Sequence, residues 1–156
     1  MLRLVSLFLL SSLLLEPSGL MWREPETEVI LPVLMYHEVK REGLGKDVIL
    51  PEEMESDLRY LSREGYTTVV MADVLAFVYA GEPLPEKPIM LTFDDGLGSS
   101  YRSLFPLLQK YETRAVISVI GKSADEFSRL PENGAHFVHA TWSELLEMWD
   151  SGLIEL

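Results

Sequence analysis

Cysteine is absent from the 156 residues. That excludes disulfides, a thiolate nucleophile and any zinc–thiolate centre, so a bound metal would have to sit on oxygen and imidazole ligands. Imidazole is itself scarce, with three histidines: His37, His136 and His139. Basic residues are few, 13 Lys and Arg against 25 Asp and Glu, for a formal net charge of -12. Such a balance excludes nucleic acid, whose phosphates need a basic face, and electrostatic docking on anionic lipid. Long apolar runs are missing too. Leu4 to Leu15 is the longest, too short to cross a bilayer comfortably.

What is present is globular, since 47% hydrophobic content in a chain of this length can bury one domain's core. Residues 1–19 read as a signal peptide or N-terminal anchor. Arg3 gives a basic start, the apolar run follows, and Pro17-Ser18-Gly19 offers small residues for cleavage. The expectation is a secreted or cell-surface protein, touching the membrane only through this segment. Residues 20–30, with Pro25 and three glutamates, read as an acidic linker.

Strands alternate with helices from there on, which predicts a parallel α/β architecture. Val33 to Tyr36 is a strand. Pro51 opens a helix whose stripe Met54, Leu58, Leu61 ends at Gly65, and a strand over 67–70 follows. Val74, Phe77 and Val78 mark a second stripe closed by Gly81, and Ile89 to Phe93 is a buried strand. Ser99 or Ser100 is expected to cap a helix carrying Leu104, Leu107, Leu108 and Tyr111, kinked or restarted at Pro106. A strand over 115–120, a loop over 121–135, a helix from the Thr141/Glu144 capping box bearing Leu145, Leu146 and Trp149, and a strand from Leu153 complete the order.

The chemistry-bearing stretch is Lys87 to Gly96, Lys-Pro-Ile-Met-Leu-Thr-Phe-Asp-Asp-Gly. An apolar strand here delivers two adjacent carboxylates to its C-terminal end, where α/β folds place their chemistry. Strand neighbours point to opposite faces, so Asp94 and Asp95 serve different roles unless the chain turns, which Gly96 permits. One carboxylate would hold a metal and the other take a proton from water. Ordinary turn chemistry would use the same residues, since Asp bonds its own backbone and Gly supplies positive φ.

Thr92-Phe93-Asp94-Asp95-Gly96 resembles the first motif of the polysaccharide deacetylase family, the NodB homology domain of carbohydrate esterase family 4. Leu34-Met35-Tyr36-His37-Glu38-Val39 looks like that family's N-terminal element. Tyr101–Lys110, Ala115–Gly121 and Trp142–Leu156 also resemble it in order and spacing. The likeness spans residues 31–156, read as the N-terminal part of such a domain. It implies a partial (β/α) barrel, truncated after about half of its strands. It further implies that Asp95 binds a divalent metal, zinc or similar, and that Asp94 is the base activating water against the acetamide of an N-acetylglucosamine unit. The substrate would be peptidoglycan, a chitin-like chain or poly-N-acetylglucosamine.

The family's paired metal-binding histidines and later motifs are not found in the sequence, so the chain is expected to be incomplete, to hold metal weakly and to be inactive alone. His37, just past the first strand, is a possible active-site neighbour or a loop cap. His136 and His139 read as surface loop histidines rather than substitutes for the missing pair. Leu97 departs from the family, which often has an aromatic residue there; the substrate-binding residues and the oligomeric state are not given. The alternative function is a non-catalytic exported fragment or degenerate paralogue that at most binds glycan, through aromatics such as Trp142 and Tyr101 if these are not core. A Mg²⁺-dependent phosphohydrolase is disfavoured because its usual pattern separates the two aspartates by one residue.

Overall fold

A computed structural model describes residues 28–41, 45–130 and 138–156. The predicted export segment, most of the acidic linker and His136 lie outside them.

The sheet is parallel throughout. Strand β1 (Val33–Tyr36) is followed by the short strands β2 (Glu38–Val39) and β3 (Val48–Ile49), which pair only with each other. Strand β4 (Thr67–Thr68) comes next, then β5 (Pro88–Phe93), β6 (Ala115–Ile117) and β7 (Ile154–Glu155). The main order is β1-β5-β6-β7, with β4 also on β5. Alternate residues of β5 serve opposite edges. Ile89 O accepts from Val69 N and Phe93 O from Ser118 N on the β4 and β6 side, while Met90 N and Asp94 N donate to Pro32 O and Tyr36 O of the β1 side. A strand bonded on both edges and covered on both faces must be apolar nearly throughout. Leu91 and Phe93 accordingly have no exposed surface.

Helix α1 (Pro51–Arg63) starts on proline, with Glu53 Oε2 accepting from Leu50 N at 3.0 Å, and buries Met54, Leu58 and Leu61 as their spacing predicts. The second predicted stripe is weaker in fact. Helix α2 (Met71–Leu75) runs into a π-helical turn over Ala76–Ala80, and Val74 and Phe77 are only partly buried while Val78 is exposed.

Three expectations need correction. The helix beyond the Asp-Asp-Gly turn begins as a π-helical turn over Ser100–Leu104 and continues as α3 (Phe105–Tyr111), so the predicted irregularity at Pro106 is real. Neither Ser99 nor Ser100 caps it. Ser99 is already helical, at φ -67° and ψ -24°, whereas a capping side chain needs an extended backbone to reach forward; both hydroxyls are buried with no partner among the described residues. Residues 121–128, expected as loop, form helix α4 (Gly121–Ser128). Its local signal is poor, with glycine and two serines in eight residues, and tertiary bonds hold it: Trp142 Nε1 donates to Asp125 Oδ1 and Trp142 N to Ser128 Oγ, each at 2.8 Å. Strand β6 ends at Ile117, short of the predicted 120.

Helix α5 (Trp142–Asp150) carries the predicted capping box: Glu144 N donates to Thr141 Oγ1 at 3.3 Å and Thr141 N to Glu144 Oε2 at 2.8 Å. Leu145 and Met148 face the core, and Leu146 and Trp149 do not.

Candidate active site

Parallel register brings the site together. Tyr36 of β1 lies opposite Phe93 of β5, so the next residues along, His37 and Asp94, leave the sheet side by side. Asp94 N still donates to Tyr36 O at 3.0 Å, which keeps Asp94 in strand geometry. Its Oδ2 lies 3.9 Å from His37 Nε2, with the two side chains 32% and 28% exposed. His37 therefore faces the carboxylate rather than capping its loop.

Asp95 breaks the strand. Its φ is +70°, followed by Gly96 at +60°, two consecutive left-handed residues that swing the chain away from the alternation of the sheet. A side chain at Gly96 would be crowded: its Cβ would lie 3.3 Å from the Val119 Cα. The two carboxylates are thus carried on different backbone geometries, one on a regular strand end and one on a left-handed turn.

Sequence reasoning missed the element that secures this turn. Residues 138–140 run antiparallel to it. Gly98 N donates to Val138 O and Ala140 N to Gly96 O, each at 2.9 Å, and Leu97 pairs with His139. His139 Nδ1 lies 3.0 Å from Asp95 O, so this histidine touches the site through its backbone and is no free surface residue. No local signal announces it, because the contact spans 44 residues. Leu97 consequently packs in a bridge, half-buried.

The aromatic candidates are split. Tyr101 stacks on Phe105 at 6.1 Å and donates its hydroxyl to Glu147 Oε2 at 2.6 Å; that bond, chiefly, raises its pKa. Trp142 is 44% exposed, with its indole N–H held by Asp125, and is not a core residue. Behind the site Tyr36 stacks on Phe93, and its hydroxyl donates to Asp57 Oδ2 at 3.1 Å. Burial first, then the Asp57 charge and hydrogen bond, push the Tyr36 phenol up to about 12.

A metal centre of the implied kind needs at least three protein ligands. Among the described residues no group of three or more His, Asp and Glu side chains stands close enough to hold an ion. Asp95 offers one carboxylate, and His139 spends Nδ1 on the Asp95 carbonyl. The described residues alone do not fit a tight site.

Comparison with known proteins gives one consistent answer. The polysaccharide deacetylase family model matches residues 81–156. YxkH of Bacillus subtilis (strain 168), by its name assigned to the polysaccharide deacetylases, is 30% identical over 133 residues, covering 85% of this chain and 43% of that protein. The poly-β-1,6-N-acetyl-D-glucosamine N-deacetylase of Escherichia coli (strain K12) is 31% identical over 130 residues, 79% of this chain and 19% of that one. Among solved structures, a de-N-acetylase from Aggregatibacter actinomycetemcomitans superposes with a TM-score of 0.70 at 27% identity, over 80% of this chain and 52% of the other. The chain spans less than half the length of these two curated relatives.

Proposed function

This chain belongs to the polysaccharide deacetylase family, and from that premise we propose that it carries the carboxylate half of a centre that removes N-acetyl groups from a polysaccharide containing N-acetylglucosamine. The observation that supports this best is the paired placement of Asp94 and Asp95 at the end of β5, with the His37 imidazole 3.9 Å from Asp94.

In this reading Asp94 is the base. Its carboxylate is partly exposed, where a water can reach it, and it takes a proton as that water attacks the acetamide carbon. His37, on the same rim with its Nε2 3.9 Å from Asp94 Oδ2, is the active-site neighbour of that carboxylate in this reading. Acetate and a free sugar amine are the products, and the bond broken is the amide C–N. A divalent metal, when bound, supplies Lewis-acid polarisation of the carbonyl, and Asp95 is the described residue that would contribute to holding it. An exported location completes the reading, supported by the basic and then apolar order of residues 1–19.

The test is made on binding before turnover. A β-linked N-acetylglucosamine oligomer titrated into ¹⁵N-labelled protein is expected to shift the amides of residues 94–98, and the Asp94→Asn variant to respond weakly. Shifts elsewhere with none at this turn would sink the reading. Acetate release is expected at background; release lost in the Asp94→Asn variant would mean the centre is already whole.

A further inference from the structure

A non-glycine residue at positive φ costs free energy and persists only where its surroundings over-determine it. Asp95, at φ +70°, is such a residue. Its surroundings come from 138–140, which bond the turn three times. Two of those bonds, Ala140 N to Gly96 O and Gly98 N to Val138 O, are backbone to backbone and available to any sequence. The third depends on one side chain, the His139 imidazole against Asp95 O at 3.0 Å. A carbonyl oxygen only accepts, so His139 Nδ1 carries the hydrogen and its tautomer is set by this contact. The ring is backed in turn by Phe127 of α4, with centroids 5.5 Å apart and planes tilted by 49°.

We propose that His139 is a positioning residue: by donating to the Asp95 carbonyl it holds the left-handed turn that aims the Asp95 carboxylate, and α4 holds His139 in place. This gives α4 a role that its sequence does not announce, as the support of an imidazole 11 residues beyond its last residue. The imidazole acts on a backbone oxygen and touches no reacting atom. Its functional weight rests on the reading of Asp95 given above; the placement itself does not.

The test uses the full chain and no activity measurement, so failure of the functional reading and failure of this one are seen separately. Backbone NMR and amide exchange are compared for wild type, His139→Leu and His139→Asn, whose side-chain N–H lies near that of Nδ1. In His139→Leu the Asp95 and Gly96 resonances are expected to move and the Ala140 amide to exchange about tenfold faster, as loss of one partly buried hydrogen bond implies. His139→Asn is expected to restore both toward wild type. Unchanged Asp95 resonances in the leucine variant, or an asparagine variant indistinguishable from it, overturn the proposal. Should His139→Leu not fold, Phe127→Leu takes its place, with the same expected shift and exchange and the same overturning result.

Discussion

The ring of Tyr36 lies on that of Phe93, centroids 5.2 Å apart and planes within 17°, and its hydroxyl reaches across to Asp57 on α1. One side chain thus joins the first strand, the central strand and the first helix beneath the candidate site. A phenylalanine could not make the contact with Asp57, which gives the half-buried polar end of Tyr36 its partner.

This phenol makes stability depend on alkali. Its pKa rises from 10.0 to about 12, so between those values the folded chain keeps a proton that the unfolded chain has lost. The contribution is whole below about pH 10 and is lost as pH climbs through about 12. Discounted for partial exposure, it is worth on the order of 1–2 kcal/mol. Urea midpoints at pH 9 and pH 11.5 should differ more for wild type than for Tyr36→Phe; equal differences would assign the loss to other groups.

Gly96→Ala should destabilise by about 1–3 kcal/mol, because it adds a left-handed alanine and a 3.3 Å approach to a backbone atom. Thermal unfolding should fall by roughly 5 °C for a chain of this size. Adding Val119→Ala removes the Cγ1 contact at 3.4 Å but leaves the Cβ at 3.5 Å and the backbone Cα at 3.3 Å, so only partial recovery is expected. Full recovery would show that the φ of +60° is no constraint.

The His37–Asp94 pair predicts a selective spectroscopic response. Asp94→Asn should move the ring nitrogen signals of His37, and Asp95→Asn should leave them in place, since only Asp94 lies within 3.9 Å. Stability should change by less than about 1 kcal/mol, the usual scale for a partly exposed pair. An equal response to both substitutions would mean that the two carboxylates are not distinguished by the turn.

Zinc titrated into the chain should give no stoichiometric isotherm at micromolar protein, and a chelator should leave the unfolding temperature unchanged. The reason is ligand count: among the described residues no three donors stand together, where at least three are required. A saturating isotherm abolished by Asp95→Asn would show an assembled ligand set.

Much of this was legible beforehand, and the particular residues show why. The stripe of α1, the apolar β5, the Thr141 capping box and the Asp-Asp-Gly turn are signals written within a few neighbouring residues, where propensity, spacing and capping act. The α2 stripe misled because periodicity says which face is apolar, not whether anything covers it, and Val78 stays 47% exposed. Helix α4 was read as loop because its stabilising bonds to Trp142 start 14 residues away.

The sequence by itself determined that there is a parallel α/β domain ending a buried strand in two carboxylates, because those features are local. Only the tertiary structure decided that His37 stands against Asp94 and His139 beneath Asp95. Both are set by strand register and by a segment folding back on the turn, distances across space that no spacing along the chain encodes.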